Sequence, residues 1–215
     1  EPLPNLEFKF VCANTLIGLH GDMLATNETI RKIEELKKVR EEYLNSYGKE
    51  KKDLENKFLT IRSELSRLAL NWQKGSEMAL KLTEWNPFAY ESCSWFDPDW
   101  MFGIKGGFDI AIANPPYGFR DVLSAEEKRF FRKTMGIEFP SGNIAELFVI
   151  ISLSKLVRSS RILTFIIPKK SLYGESWHAL RKIWLANDLH FLMDASQAFE
   201  NVLLEQSAFS IQKQP

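Results

Sequence analysis

The sequence predicts an α/β fold interrupted by an inserted pair of helices. Three observations predict it. From Gly107 onward, short apolar runs of strand length alternate with segments of helix length. Between residues 27 and 82 a highly charged stretch carries apolar residues at three- and four-residue spacing. Hydrophobic residues make up 45% of the 215, enough for one ordinary core with an appendage.

The elements follow in order. Residues 8–13, Phe-Lys-Phe-Val-Cys-Ala, are rich in strand formers and end at Asn14. Thr26 or Asn27 can cap the first helix, and Glu28 places an acid in its first turn. Ile30, Ile33, Leu36, Val39, Tyr43 and Leu44 then mark one face. Asn45-Ser46-Tyr47-Gly48 breaks the pattern. Leu54, Phe58, Ile61, Leu65 and Leu68 mark a second helix. Each stripe is narrow, so the two helices are expected to bury each other as an antiparallel hairpin. Acids and bases are mixed along both, which reads more simply as a solvated face than as a nucleic-acid arm. Residues 85–88 and 95–102 are crowded with Trp, Phe and Pro. They look too irregular for helix or strand and are expected to form an ordered loop pinned to the core.

Residues 108–113, Phe-Asp-Ile-Ala-Ile-Ala, form an apolar run typical of a strand buried on both faces. Residues 145–157 suit a helix. Residues 162–167 suit a second buried strand, stopped by Pro168. A helix over 177–186 and strands over 190–194 and 208–211 complete the pattern. Such alternation implies a mostly parallel sheet covered on both faces. The organisation read from this is a first segment 1–25, a helical insertion 26–84, and the larger part of the α/β domain over 85–215.

Composition excludes several functions. Net charge is zero, from 28 basic and 28 acidic residues. A self-sufficient DNA-binding domain is usually basic, because neutralising phosphates dominates affinity. Cys12 and Cys93 stand far apart, and His20, His178 and His190 are scattered. Neither pattern suits a metal site or a Ser-His-Asp triad. No apolar run approaches the roughly 20 residues that span a bilayer, and no signal peptide opens the chain. A cytoplasmic protein is expected. The chain starts at Glu1 without an initiator Met, as an excised piece would.

The chemistry concentrates at Asn114-Pro115-Pro116-Tyr117-Gly118. This follows the strand over 108–113, and open α/β sheets bind ligands beyond the carboxyl ends of their strands. Two prolines stiffen the turn and remove two amide donors. Asn114 adds a side-chain carbonyl acceptor, Tyr117 an aromatic face, and Gly118 room for a planar group. Such a set suits a planar ligand bearing an exocyclic NH2. That nitrogen is a poor nucleophile because its lone pair is delocalised. Two acceptors, the Asn114 side chain and the Pro115 carbonyl, can bind its two hydrogens and localise the lone pair. Attack on a methyl sulfonium then becomes favourable. The simpler reading, a turn capped by Asn and stiffened by Pro-Pro, is weakened by the aromatic after it and the strand before it.

Residues 108–118 resemble motif IV of the amino-methyltransferases. Residues 95–103, Trp-Phe-Asp-Pro-Asp-Trp-Met-Phe-Gly, resemble the lead-in of the Eco57I-like branch, and residues 3–16 look like that branch too. The branch contains methyltransferases of bacterial restriction–modification systems, often fused to an endonuclease. The resemblance implies a partial Rossmann-like methyltransferase sheet with the helical hairpin inserted. It implies S-adenosyl-L-methionine as cofactor and adenine N6 in double-stranded DNA as target. By resemblance Asn114, Pro115, Pro116 and Tyr117 are catalytic. Asn14 falls where motif III places a polar residue near the cofactor's adenine, and Thr15 and Asn114 are counted with it as cofactor-binding. Many relatives have Asp where Asn14 stands. Tyr117 and Phe199, the latter in a motif VIII context, would hold the base once it is flipped from the duplex. Residues 163–169 resemble motif VI. Lys169 and Lys170 read as a solvated pair more simply than as a phosphate contact. The family's glycine-rich motif I is absent, as is the acid that follows it. The chain is therefore expected to be the catalytic-loop part of such an enzyme, inactive alone. A protein-glutamine or RNA amino-methyltransferase shares the tetrad and is the alternative. A non-catalytic helical interaction module is another.

Overall fold

The computed structural model describes residues 8–19, 26–70, 77–89, 91–118, 123–196 and 204–215. The chain divides into two compact units, Glu1–Lys105 and Gly106–Pro215.

The first unit is helical. Helices α1 (Asn27–Leu44) and α2 (Gly48–Leu70) are joined by three residues. Thr26 caps α1, its hydroxyl accepting from the Thr29 amide at 3.1 Å. Lys32, early in α1, pairs with Glu64, late in α2, at 2.7 Å, so the helices run antiparallel. Leu36, Val39 and Tyr43 of α1 bury with Phe58, Ile61 and Leu65 of α2 in one cluster. Helix α3 (Glu77–Glu84) packs on α2. The hairpin is as expected; the strand over 8–13 is not. Only an isolated bridge, Ala13 to Cys93, forms there. Phe8 is drawn instead into an aromatic cluster with Tyr43, Phe58, Trp85 and Phe88, at centroid distances of 5.2 to 6.0 Å. That burial outweighs strand propensity.

The Trp-rich stretch is pinned to this core, with Trp85, Trp95 and Trp100 buried. It is more regular than its composition implies. Residues 98–102 form a short helix, α4 (Pro98–Phe102). Asp97 caps it, accepting from the Trp100 amide at 2.7 Å, Pro98 stands at its start, and Gly103 closes it in the left-handed conformation. The buried Arg40 guanidinium donates to the Asp99 and Trp100 carbonyls at 2.8 and 2.5 Å. The Asp99 carbonyl also accepts from the Gly103 amide at 2.9 Å, so Arg40 adds a second donor there and supplies one at Trp100.

The second unit is a four-stranded sheet with helices on one face. Strands β1 (Phe108–Ala113), β2 (Val157–Pro168), β3 (Asp188–Asp194) and β4 (Gln206–Gln212) lie in the order β1-β2-β4-β3. β1 and β2 are parallel; β4 is antiparallel to both β2 and β3. The expected mostly parallel sheet is thus mixed. The last strand in sequence inserts between β2 and β3, which local periodicity cannot reveal. Between β1 and β2 lie α5 (Ala125–Arg129), continued by a π-turn over Phe130–Thr134, and α6 (Ile144–Ile151), continued by a π-turn to Leu156. α7 (His178–Leu185) precedes β3.

The core packs Ala145 and Val149 of α6 and Leu180 and Trp184 of α7 against Leu163, Phe165, Ile167, Phe209 and Ile211 of the sheet. Ala111 and Ala113 of β1 face the same side. The opposite face was expected to be covered. Ile110 and Ile112 are instead 60% and 76% exposed, and every residue of β3 is exposed.

The β1–β2 register jumps from Phe108↔Val157 to Ile110↔Ile162. The extra residues of β2 form a bulge that includes Ser160 at φ 61°. Asp109 stitches it, pairing with Arg158 at 2.5 Å and Arg161 at 2.8 Å. Gly107 (φ 99°) lies so close to the Leu156 carbonyl that a Cβ there would sit 2.6 Å from its oxygen. This close approach sets where β1 begins.

Candidate active site

β1 hands the chain directly to Asn114-Pro115-Pro116-Tyr117-Gly118. Ala113, its last residue, pairs with Phe165 of β2. The chain therefore leaves β1 beside Ile166. Pro115 is buried, Asn114 and Pro116 are exposed, and Tyr117 is half-buried against the core under α6 and α7. The Tyr117 hydroxyl lies 2.7 Å from Asn114 Oδ1 and 3.0 Å from the Ile166 carbonyl oxygen. Burial raises the hydroxyl's pKa, so it keeps its proton at neutral pH. The four residues expected to act together are thus contiguous on one stiff turn, and the turn is tied to the neighbouring strand.

The exit from the turn is held as well. Ile144, the first residue of α6, donates its amide to the Gly118 carbonyl at 3.3 Å. Asn143 caps that helix, its Oδ1 accepting from the Ala145 amide at 2.9 Å. Glu146, fully buried, accepts from the Ser141 amide at 3.0 Å and the Ser141 hydroxyl at 2.5 Å. Burial raises its pKa, against the hydrogen bonds from Ser141 and the charge of His178.

Asn14 and Thr15 belong to the first unit. Asn14 is exposed, and its Oδ1 accepts from the Leu16 amide at 3.1 Å in a local turn. Thr15 is half-buried. Phe199 lies outside the described residues. Lys169 is not the solvated lysine expected: it reaches Asp194 at 3.0 Å, Glu205 at 3.5 Å and the Ser196 hydroxyl at 2.8 Å. The carboxylates raise its pKa, and Asp194 is held down at about 2 first by the Ser196 hydroxyl, which donates to it at 2.6 Å, and then by Lys169. Lys170 is exposed.

One feature of the second unit escaped sequence reasoning. Lys128, Arg129, Arg132 and Lys133, with Ala125, line a concavity of about 350 Å³ on α5 and its π-turn. Phe131 anchors the other side of the segment in the core, 1% exposed. The signal was present in Ser124-Ala125-Glu126-Glu127, a capping box in which Ser124 and Glu127 bond each other's backbone amides.

A sequence profile of the Eco57I restriction-modification methylase family matches residues 22–199. A Methanocaldococcus jannaschii protein, named for a type II restriction enzyme and methyltransferase, is 38% identical over 76 residues. That stretch is 35% of this chain and 6% of the length of that relative. A solved Listeria monocytogenes structure, named for a class I S-adenosylmethionine-dependent methyltransferase, is similar over 91% of this chain and 64% of its own, with a TM-score of 0.41 and 12% identity.

Proposed function

The chain belongs to the Eco57I restriction-modification methylase family, and from that premise we propose that it serves S-adenosylmethionine-dependent methylation of adenine N6 in DNA. The observation that carries this reading is the Asn114 amide, exposed at the end of β1 on a turn stiffened by two prolines and tied to β2. Asn114 Oδ1 and the Pro115 carbonyl oxygen accept the two hydrogens of the adenine amine. That draws its lone pair out of the ring and toward the methyl donor. Alignment on a stiff turn supplies much of the rate. The proton need not leave before methyl transfer, so no general base is required of the chain. S-adenosylmethionine, when bound, supplies the methyl sulfonium.

The described residues offer that cofactor only part of a cradle, the Asn14 amide and Thr15. Among the described residues the glycines at positive φ are Gly48, Gly103, Gly106, Gly107, Gly136 and Gly142, and none of these lies in a strand-to-helix turn. Together with the 6% of the relative's length that is matched, this supports reading the chain as the catalytic-loop part of a larger enzyme. The rest would supply the cofactor's glycine-rich turn, the sequence-recognition surface and any fused nuclease. The cations beside α5 support a polyanionic substrate. A restriction system also implies a cytoplasmic setting; among the described residues no helix is long and apolar enough to cross a membrane. The protein-glutamine and RNA alternatives share the tetrad but not the restriction-type lead-in at residues 95–103.

Two experiments test the proposal. Mass spectrometry of DNA treated with the full-length enzyme and methyl donor should find N6-methyladenine; methylated protein or RNA alone would sink the DNA assignment. Asn114→Ala should slow methylation by roughly 100-fold or more. A variant at near wild-type rate would remove Asn114 from the mechanism.

A further inference from the structure

The Tyr117 hydroxyl is within hydrogen-bond reach of two groups, Asn114 Oδ1 at 2.7 Å and the Ile166 carbonyl oxygen at 3.0 Å. As placed, both are acceptors. A tyrosine hydroxyl has one hydrogen and can fully satisfy one of them. The oxygen and nitrogen of an asparagine amide have nearly the same shape, so its orientation follows from the hydrogen bonds around it. With Oδ1 engaged by Tyr117, the exposed Asn114 amide has only its Nδ2 hydrogens to offer a ligand. An incoming amine also presents hydrogens there, and donor would meet donor.

Turning the amide over satisfies every group. We infer that Asn114 Nδ2–H donates to the Tyr117 oxygen, that Tyr117 O–H donates to the Ile166 carbonyl, and that Asn114 Oδ1 is thereby aimed outward as the acceptor for the substrate amine. The relay begins at a backbone carbonyl of β2, which cannot rotate, and ends at the amide that must be oriented. Tyr117 is held for this task, half-buried against the core cluster of the second unit. Its hydroxyl stays protonated, because burial raises its pKa. The hydroxyl is a positioning group: it acts through Asn114, whatever the ring contributes by stacking on the base. The inference rests on the amino-methylation reading.

The experiment uses the full-length enzyme and single-turnover methylation of duplex DNA. Tyr117→Phe keeps the ring and removes the hydroxyl. The methyl-transfer rate should fall roughly 10- to 100-fold, with the Kd for DNA unchanged. A near wild-type rate would overturn the relay and leave the tyrosine as a stacking ring alone. Asn114→Asp supplies the second arm, followed long enough to read slow rates. A carboxylate presents an acceptor whichever way it is turned, so there is no amide left to orient. In that background Tyr117→Phe should cost less than about 3-fold more. An equal loss in both backgrounds would mean general damage to the turn and would also overturn the relay. The two failures are distinguishable. If Asn114→Ala abolishes methylation while Tyr117→Phe does nothing, only the relay falls. If Asn114→Ala is active, the reading beneath it falls too.

Discussion

Glu146 shows how a single residue beyond the tetrad holds the site together. It is fully buried on α6, tied to Ser141, two positions from the amide that holds Gly118. Burial raises its pKa above the ordinary carboxyl value. The folded state therefore binds this proton more tightly than the unfolded chain. The stability it contributes is fully present below the unfolded pKa and is lost as pH rises through the raised folded value. Glu146→Gln cannot titrate, so its stability should decline less with rising pH across that window. Denaturant midpoints at a series of pH values would measure this, and parallel curves for the two proteins would refute it. At this scale the tetrad was legible in the sequence, because its chemistry sits in four adjacent residues. The Tyr117–Ile166 contact was not, since its partners lie 49 positions apart and one contributes only backbone.

At the scale of elements, α5 and its π-turn carry the most direct consequence. A π-turn widens the helix and is often found at functional sites. Here the segment brings Lys128, Arg129, Arg132 and Lys133 around one concavity. Four cations around one concavity favour an anion there. If duplex phosphates fill that role, replacing Arg129 and Arg132 by Ser should reduce the salt slope of DNA affinity by about 1 per cation. A titration series at increasing salt would read it; an unchanged slope would free the cations of that duty. α4 makes a parallel case on the structural side. Arg40 donates to two of its carbonyls, and Arg40→Ala should destabilise the first unit by about 3 kcal/mol, read by denaturant unfolding. All four strands of the sheet were legible as apolar runs. The helix α4 was not, hidden by its aromatics although Asp97-Pro98 spells a helix start and Gly103 a stop. The strand expected at residues 8–13 failed because the place of Phe8 in a distant aromatic cluster is a tertiary fact.

At the scale of the whole molecule, alternating strands and helices announced the α/β class but not the sheet's order. That order is decided when β4 pairs with both β2 and β3, contacts between segments far apart in sequence. Nor could periodicity tell that Ile110 and Ile112 are exposed, since an apolar run reads alike whether its residues are buried on one face or on both. The chain's partial cradle for the methyl donor gives a prediction at this scale. Calorimetric titration of this chain alone with S-adenosylmethionine should show no saturable heat up to about 1 mM, the upper end of ordinary enzyme affinities; tight binding would show that the cradle is complete. The Ile166 carbonyl has a final consequence, for how variants of this protein are to be scored. Every amino acid has that oxygen, so exchanging the letter at 166 leaves the acceptor in place as long as the new side chain fits. Adding or deleting one residue within β2 would slide a different carbonyl beneath the tyrosine. At this position substitution is a quiet event and a frameshift of the strand is a loud one.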